Sequence, residues 1–526
     1  MYMLRRTLLA LASALAAGAP AHYEVTSLPG WDGPLLSKAY CGFTSAGVPP
    51  SGVGEMFFNY IFLESENDPK NDPVVLWYNG GPGAASMFGL FVELGPYYLN
   101  QDSLDDPKYQ ATGIPQVVRN PHSWTKVANV IAVNNPPPIG FSYCTGQPGN
   151  NTGPGGDGYS CGPWNDTSVA KANHAFLKNL FTTDFPEYAK NPLFITGESY
   201  AGIYVPTIVR EILDDPGPLS LRGFAVGDGC MGTEVLCGSG NPDKGPFYEV
   251  EFMHGHGQVS ERNYRTIKKE CPEAALRSGV GMSAACNASV AQMHANLGGM
   301  FGYSLYDDCI YDEGFRRQRQ RRLLFGGGSA DADAAAAHSY PTRGGLNDYA
   351  CPSNAMPMWL NRQDVRAALH IQPDNRFNSA DNGVGMNYTL TEPTVLPIYD
   401  RARAEAGLRV LVYNGDTDPG INSMVTQDKY FAHFDSLGVE ATEEWRPWTT
   451  DGKQRMGGYF VTYPGDFHYL TIRGSGHMVP ESRSPSASSP TSSRASRTRS
   501  TWRRRPRKAR AAARGAASRT WLAIRY

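Results

Sequence analysis

The sequence predicts an α/β fold: a mostly parallel central sheet flanked by helices, with a largely helical inserted cap. Short apolar runs, partly β-branched and bounded by Gly, Pro, Asn or Asp, are typical of buried parallel strands. Helical patterns at residues 168–180 and 204–213 lie between such runs, as expected for a sheet with helices on both faces. The apolar runs are residues 74–78, 128–133, 193–196, 222–227 and 408–413.

The boundaries of the predicted segments follow from where the alternation of predicted strands and helices begins and ends. A chain of 526 residues that is 41% hydrophobic can bury one large domain with an insertion. Residues 458–463 and 467–472 are predicted to form a hairpin or two adjacent strands. The predicted segments are a signal peptide at 1–21, the first part of the core at 22–229, the inserted cap at 230–345 with a basic, low-complexity linker at 316–345, the second part of the core at 346–481, and a basic low-complexity tail at 482–526.

The basic run at residues 316–322 has two interpretations. It precedes three glycines and an Ala/Asp tract that cannot pack a core. One interpretation is a solvated loop, and the other is an exposed proteolytic maturation site in a secreted proenzyme.

The N-terminus has the features of a secretory signal. Arg5 and Arg6 precede the apolar stretch 8–17, and small residues at 19–21 fit a signal-peptidase site. The apolar stretch is well short of the roughly 20 residues that span a bilayer, and no later segment approaches that length. We therefore expect a soluble mature protein without a membrane anchor.

Cysteines and sequons agree with a secretory route. The chain has nine cysteines, an odd number, so at least one thiol remains unpaired within the chain. Close spacings suggest the pairs Cys144–Cys161, Cys230–Cys237 and Cys271–Cys286, with a longer loop closed by Cys309–Cys351 and Cys41 left over. The glycosylation candidates are Asn150, Asn165, Asn287 and Asn387.

The formal net charge of −2 conceals an asymmetry. Of the 48 Lys and Arg residues, 13 follow Glu481, and no acidic residue does. Without those 13, the body carries 35 basic and 50 acidic side chains, a net charge of −15. An acidic body argues against nucleic acid as a ligand and suits an acidic or extracellular compartment.

The hexapeptide GESYAG at 197–202 supplies the candidate nucleophile, Ser199. It lies between an apolar run and a helical pattern, where a sharp turn presents a serine hydroxyl and small glycines let strand and helix pack closely. A G-x-S-x-G match arises by chance roughly 0.3–0.4 times in such a chain, so a plain tight turn is the alternative. In an α/β-hydrolase, an acid and a histidine must follow the serine at strand ends.

Both groups follow. Asp418 lies in the loop NGDTDPGIN after one predicted strand, and His477 lies in RGSGHMVP after another. A neutral imidazole could take the serine proton while a buried carboxylate orients it. Asp416 competes with Asp418, and either acid could instead form an Asx turn. For the base, a structural loop histidine is the alternative, with His433 and His468 as competitors.

The segment WYNGGPG at 77–83 predicts the oxyanion hole. Its consecutive glycines free the backbone to turn an amide toward a developing oxyanion, and the residue after the nucleophile gives the second amide. The candidate donors are the Gly81 and Tyr200 N–H groups. A plain tight turn is the alternative.

The chain resembles the serine carboxypeptidase family from about residue 30 to 481. The family is an α/β-hydrolase with a helical insertion, is secreted or vacuolar/lysosomal, and removes C-terminal residues from peptides through an acyl-enzyme. The motifs that carry the resemblance, in order, are WYNGGPG at 77–83, FVELGP at 91–96, GFSY at 140–143, GESYAG at 197–202, NRQDVRAALH at 361–370, NGDTD at 414–418 and GSGHMVP at 474–480.

The resemblance implies a role for each matching residue. It makes Ser199 the nucleophile, Asp418 rather than Asp416 the orienting acid, and His477 the general base. It also implies a site for the substrate's terminal carboxylate, formed by Asn79, Gly80, Glu93 and Glu198. Two adjacent carboxyls can face a third only if protons are shared, because like charges raise one another's pKa. We therefore expect binding to weaken as pH rises and activity to be favoured at acidic pH.

Several features depart from the family pattern. Ala84 and Ala85 stand where many relatives have Cys and Ser, and Ile421 stands where some have a cysteine. After Glu481 a closing amphipathic helix is expected, but a Ser-, Arg-, Ala- and Pro-rich tail follows. Such composition predicts disorder or a frame-shifted gene model, with a basic polyanion-binding tail as the functional alternative.

Two other functions use the same features. A secreted acyltransferase would use the same Ser, His and Asp, although relatives of that kind usually place aspartate before the nucleophile, where this chain has Glu198. A catalytically inactive secreted binding protein would require a triad misassembled by the altered C-terminus.

No metal or organic cofactor is implied, since no paired ligand motif occurs. The expected partners are peptide or protein C-termini, and a homodimer stays open.

Overall fold

A computed structural model describes residues 20–146, 161–237, 242–297, 302–307, 350–372, 375–378, 386–450 and 452–481. Within these ranges, one twelve-stranded mixed sheet is accompanied by two separate two-stranded pairs. The strands are β1 (Glu24–Val25), β2 (Ala39–Gly47), β3 (Met56–Leu63), β4 (Val74–Tyr78), β5 (Tyr97–Tyr98), β6 (Val118–Arg119), β7 (Asn129–Asn134), β8 (Tyr143–Cys144), β9 (Trp164–Asn165), β10 (Leu193–Glu198), β11 (Leu221–Gly227), β12 (Tyr388–Thr389), β13 (Arg409–Gly415), β14 (Glu443–Thr449), β15 (Met456–Tyr463) and β16 (Phe467–Ile472).

The large sheet has a parallel centre and antiparallel sides. Its order is β1, β2, β3, β7, β4, β10, β11, β13, β16, β15 and β14, with β8 paired to β3. The strands from β7 to β16 in this order run parallel, and the flanking pairs are antiparallel. Every residue of β4, β7 and β10 is buried, as expected for parallel strands covered on both faces. The predictions of five buried strands and a terminal hairpin are confirmed.

The helices lie mainly between the strands of the parallel centre and in the predicted cap. The predicted helices at 168–180 and 204–213 are present as α3 and α4. The helices are α1 (Gln101–Asp105), α2 (Pro107–Thr112), α3 (Asp166–Asn179), α4 (Ala201–Asp214), α5 (Phe247–Gly255), α6 (Glu261–Glu270), α7 (Glu273–Ser278), α8 (Ala284–Leu297), α9 (Ala355–Leu360), α10 (Gln363–Ala368), α11 (Leu396–Asp400) and α12 (Ser423–Ser436).

The core has two layers, one on each face of the sheet. In β4, Val74, Leu76 and Tyr78 join one apolar cluster, whereas Val75 and Trp77 join another. This alternation follows from the two-residue period of a strand, whose successive side chains point to opposite faces. Helices α3, α4, α11 and α12 contribute to the first cluster, and α9 and α10 contribute to the second. Around β4 the sheet is therefore covered by helices on both faces.

The predicted cap is helical in its described part. Four helices, α5 to α8, pack around their own apolar cluster, which includes Phe252, Ile267 and Met293. No strand occurs in the described residues between β11 and β12. Residues 302–307 return to the core, where Leu305 N–H donates to Thr417 O at 2.9 Å. The cap and the strand-end loops are thus joined directly.

Three predicted disulfides are confirmed: Cys144–Cys161, Cys230–Cys237 and Cys271–Cys286. These bonds are consistent with passage through the secretory pathway. Cys351 is also disulfide-bonded, while its predicted partner Cys309 lies outside the described residues. Among the described cysteines, Cys41 is the one with a free thiol, as predicted, and burial raises its pKa to about 12.

Other predictions lie wholly or partly outside the described residues. They concern the signal peptide, of which residues 1–19 are not described, the Asn150 sequon, the linker at 316–345 and the tail after Glu481. Of the remaining sequons, Asn287 and Asn387 are exposed, whereas Asn165 is half-buried and caps α3 by accepting from Ser168 N–H. In the described ranges, no helix is long and apolar enough to cross a bilayer.

Candidate active site

The turn between β10 and α4 holds Ser199 in a strained conformation. Its φ is +62°, a region that side-chain-bearing residues rarely adopt. The two glycines of the pattern are needed for packing: a Cβ at Gly197 would lie 2.4 Å from Tyr78 O, and one at Gly202 would lie 2.2 Å from Cys230 O. The geometry is that of a nucleophile elbow, which holds a serine hydroxyl clear of the sheet.

The residue after the serine is anchored by an acid at the start of α3. Tyr200 Oη donates to Asp166 Oδ1 at 2.6 Å. Asp166 is buried and also accepts from Tyr388 Oη at 2.9 Å and from Glu392 N–H at 2.7 Å. A single carboxylate therefore ties α3, the elbow and the segment before α11 together. None of the motifs that predicted the site includes Asp166.

Asp418 and His477 lie together in buried loops after β13 and β16. His477 Nδ1 is 2.8 Å from Asp418 Oδ2, and Gly420 N–H donates to Asp418 Oδ1 at 2.8 Å. Asp418 is fully buried and His477 is 5% exposed. A proton on Nδ1 leaves Nε2 free to accept one, as a general base requires.

The competing acid and histidines have other partners. Asp416 Oδ1 accepts from Gly474 N–H at 2.7 Å and so links the two loops. His433 bonds to Asp400 at 2.8 Å, and His468 bonds to Asp466 at 2.7 Å. The structure therefore pairs Asp418 with His477.

The elbow adjoins this pair through the end of β11. Ser199 N–H donates to Gly227 O at 3.0 Å. The next residue, Asp228, has a carboxylate oxygen within 4.8 Å of the corresponding ligand atoms of Asp418 and His477. Among the described residues, Ser199 Oγ has no hydrogen bond to His477, and such contacts are often loose until substrate binds.

Asp228 is a buried acid that lies outside the sequence motifs that predicted the site. Within the described chain, Asp228, Asp418 and His477 are the one group of three side chains close enough to hold a metal ion. Two of them are already joined by a direct hydrogen bond, so we interpret the group as part of a proton-transfer site.

The glycine loop after β4 packs directly against the elbow. A Cβ at Gly80 would lie 2.3 Å from Tyr200 N and 2.7 Å from Ser199 Cβ, so only glycine fits. Gly81 has a φ of +110°, which favours glycine again. Within the described chain, the N–H groups of Gly80, Gly81 and Tyr200 have no protein acceptor. Three backbone donors therefore remain free beside the serine.

Two buried glutamates meet on the side chain of Asn79. Its Nδ2 donates to Glu198 Oε1 at 2.9 Å and to Glu93 Oε1 at 3.2 Å. Its Oδ1 accepts from Trp77 Nε1 and from Gly89 N–H, both at 2.9 Å, which fixes the orientation of the amide. Glu93 and Glu198 come from different elements, a π-helical segment (Gly89–Leu94) and the end of β10.

Burial dominates the titration of these acids. It raises the pKa of Glu93 to about 7, although the hydrogen bond from Asn79 opposes the shift. Burial and then the Glu93 charge hold the pKa of Glu198 well above its usual range. The Oε2 atoms of both residues are buried, with no hydrogen-bond partner in the described chain. Two carboxyl oxygens are thus left for a ligand or for each other.

Residues 302–307, a segment of the predicted cap, pack against His477. His477 N–H donates to Tyr303 O at 2.7 Å, and the two rings lie 5.1 Å apart. Ser304 Oγ lies 3.1 Å from Thr417 Oγ1, beside the acid. No local motif marks these contacts, because they join residues more than 100 positions apart.

Comparison with known proteins identifies the family. A sequence model described as serine carboxypeptidase matches residues 29–493. The chain belongs to the serine carboxypeptidase family. Similar proteins include the lysosomal protective protein of Mus musculus, 31% identical over 503 residues that cover 89% of this chain and 92% of that protein. Serine carboxypeptidase-like 20 of Arabidopsis thaliana is 29% identical over 520 residues, covering 91% and 94%.

A solved structure supports the same assignment at the level of fold. A prohormone-processing carboxypeptidase from Saccharomyces cerevisiae superimposes with a TM-score of 0.61 at 17% identity, covering 89% of this chain and 94% of that one. The sheet, its flanking helices and this likeness make the protein an α/β-hydrolase. The predicted family and fold class are confirmed.

Proposed function

We propose that this serine carboxypeptidase homologue is a serine-type exopeptidase that releases C-terminal residues from peptides at acidic pH. The observation that carries the proposal is the Glu93–Asn79–Glu198 cluster directly beside Ser199. An ester or amide hydrolase needs only the nucleophile, base, acid and oxyanion donors. A buried pair of acids with a raised pKa adds a place for a third carboxylate, which is the group that marks a peptide's C-terminus.

The chemistry would follow acyl transfer. Ser199 Oγ attacks the last peptide carbonyl while His477 Nε2 takes the hydroxyl proton, and Asp418 stabilises the resulting imidazolium. Gly81 and Tyr200 N–H groups would stabilise the oxyanion. The C–N bond breaks as His477 returns the proton to the leaving amine. Water then attacks the acyl-enzyme, with His477 again as base, and Ser199 is regenerated.

The substrate carboxylate would be held by the Gly80 N–H group and the protonated glutamate pair. Both protons of Asn79 Nδ2 already point to the two glutamates, so the substrate would take over one of these bonds. Below about pH 7 the pair keeps its protons, since the pKa of Glu93 is raised to about 7. Above that pH, ionised Glu93 repels the substrate's negative charge.

The decisive experiment compares an N-blocked dipeptide acid with the same dipeptide as its C-terminal amide between pH 4 and pH 9. We expect kcat/KM for the acid to fall above about pH 7, approaching tenfold per pH unit, because Glu93 ionises there. The amide carries no charge to repel and should lack this fall. An optimum above pH 8 for the acid would contradict the proposal.

The same assay distinguishes the acyltransferase alternative, which uses the same triad. In the presence of an alcohol acceptor, an acyltransferase gives mainly the transferred ester, whereas the proposed peptidase gives mainly the free acid and the released amino acid. Secretion or delivery to a vacuole or lysosome is part of the proposal, in keeping with the disulfides, the predicted signal peptide and the acidic working range.

A further inference from the structure

Asp228 is fixed at the carboxyl end of β11 in an unusual backbone conformation. Its φ is +42°, and its N–H donates to Tyr413 O at 2.8 Å. The side chain is fully buried. Left-handed backbone at a residue that carries a side chain costs free energy, so the surrounding contacts must hold it there.

The carboxyl of Asp228 is held by the loop that carries Asp418. Asn414 Nδ2 donates to Asp228 Oδ1 at 3.0 Å. Gly415 N–H reaches both oxygens, at 3.1 Å for Oδ1 and 3.2 Å for Oδ2. Oδ1 therefore accepts two hydrogen bonds, whereas Oδ2 accepts only the Gly415 bond that it divides with Oδ1. Of the two oxygens, Oδ2 is the better position for a proton.

Asp418 is the better place for the negative charge. Its two oxygens have separate short contacts, Gly420 N–H at 2.8 Å and His477 Nδ1 at 2.8 Å. The His477 imidazolium that forms during catalysis would stabilise the charge further. The carboxylate oxygens of Asp228 and Asp418 lie within 4.8 Å of each other on buried side chains, so a proton on Asp228 removes the repulsion between two like charges.

The surroundings of Asp228 disfavour its ionised form. Burial is the largest cause and the charge of Asp418 the next, and both hold the pKa of Asp228 well above its usual range. The hydrogen bonds from Gly415 and Asn414 oppose this shift. The other titratable groups that face it are His477, Glu198 at the end of β10 and Tyr469 on β16, whose Oη donates to Asn414 Oδ1 at 3.1 Å.

We propose that Asp228 is a positioning residue of the triad, whose protonated carboxyl donates a hydrogen bond to Asp418 and holds that carboxylate toward His477. The inference rests on the proposed role of Ser199 as nucleophile. Asp228 touches no reacting atom, so it acts through Asp418. When Asp228 loses its proton, two adjacent charges repel and the orientation of His477 is lost, so the reactivity of Ser199 falls at alkaline pH.

A fluorophosphonate tests this without a substrate carboxylate for the glutamate pair to bind, because the reagent labels Ser199 and carries no carboxylate. The second-order labelling rate is measured from pH 4 to pH 9.5 for the wild type, Asp228→Asn and Asp228→Ala. Asparagine keeps a donor to Asp418 and cannot ionise. We expect Asp228→Asn to stay within roughly tenfold of the wild type at pH 5 and to lose the alkaline fall, or to have its midpoint raised by about one pH unit or more.

We expect Asp228→Ala, which has no donor, to label roughly 10- to 100-fold more slowly than the wild type at pH 5, and the difference should shrink where the wild-type rate falls at alkaline pH; thermal melting verifies folding. Asp416→Asn is the matched control in the same loop, because Asp416 bonds to Gly474 N–H instead, and its alkaline midpoint should equal that of the wild type. The absence of an alkaline fall in the wild type up to pH 9.5, equal alkaline midpoints in Asp228→Asn and the wild type, or wild-type rates in Asp228→Ala at pH 5, would each overturn the inference. A wild type that does not label overturns the proposed function and this inference with it.

Discussion

Two buried pairs of acids flank the Ser199 elbow, and they differ in what they bond to. Glu93 and Glu198 share one neutral amide, Asn79 Nδ2, and each keeps an oxygen without a partner in the described chain. Asp228 and Asp418 lie against a base instead, with His477 on Asp418 and backbone N–H groups on both acids.

The difference shows how one electrostatic effect serves two purposes. In both pairs burial favours a protonated acid, and in Glu198 and Asp228 the neighbouring carboxyl favours it further. Where the pair has oxygens free, protonation of the pair makes room for a ligand's negative charge. Where the pair faces an imidazole, one acid keeps its charge for the base. The groups that the acids bond to, rather than the acids themselves, decide whether a pair binds a ligand or orients the base.

The largest expected effect comes from breaking the pair that faces the base. Replacing Asp418 by Asn removes the charge on His477 Nδ1 and favours the wrong tautomer, so we expect kcat to fall roughly 10⁴-fold. KM for a dipeptide acid should change little, because the Glu93–Glu198 pair is intact. Steady-state kinetics at pH 5 measure both.

The matched control for this change is Asp416→Asn, two residues away in the same loop. Asp416 bonds to Gly474 N–H rather than to His477, so we expect a loss in kcat of less than about tenfold, since only a loop contact is weakened. Similar losses in the two variants would mean that the loop, and not the charge beside the base, matters.

Local signals in the sequence were sufficient for the parallel strands and for the loops at their carboxyl ends. The apolar runs of β4, β10 and β13 are short and uninterrupted, and each is followed by a turn-rich motif. By contrast, β2 was not predicted, because Gly, Ser and Thr interrupt its apolar pattern. Gly42 is there for packing: a Cβ would lie 2.4 Å from the ring of Tyr23.

Residues that act through distant contacts were beyond such reasoning. Tyr303 meets His477 only because residues 302–307 return to the core. Asp228 did carry a usable signal, since it directly follows a predicted parallel strand, as a strand-end acid should. It was missed because it belongs to none of the recognised motifs. Spacing favoured its partner Asp418 only slightly over Asp416, and the family resemblance made the choice between them.

The next largest expected effect is on the stability that Glu93, in the pair facing the substrate, gives to the fold. The folded pKa of Glu93 is raised to about 7, so its stabilising contribution is fully present below its unfolded pKa and is lost as pH rises through the folded value. The size of the shift corresponds to roughly 3 kcal/mol of unfolding free energy. Glu93→Gln cannot ionise and should lack this loss.

Denaturant unfolding of both proteins at pH 4.5 and pH 7.5, with disulfides intact, measures the effect. The wild type should lose more free energy of unfolding over this interval than Glu93→Gln, by up to about 3 kcal/mol. Parallel losses in the two proteins would show that Glu93 does not change its charge in this range.

The smallest expected effect separates the two pairs in catalysis. Glu93→Gln keeps a neutral partner beside Glu198 at every pH, so the repulsion of a substrate carboxylate that begins near pH 7 in the wild type should disappear. At pH 8, about one unit above the Glu93 value, roughly nine-tenths of the wild type has ionised Glu93. We therefore expect kcat/KM of the variant for a dipeptide acid, relative to its own value at pH 5, to exceed that of the wild type by about tenfold.

The fluorophosphonate labelling profile, which depends on Asp228 and Asp418, should be the same in both proteins. A shift in that labelling profile would mean that the two pairs titrate as one network, and their separation into a ligand-binding and a base-orienting pair would be wrong.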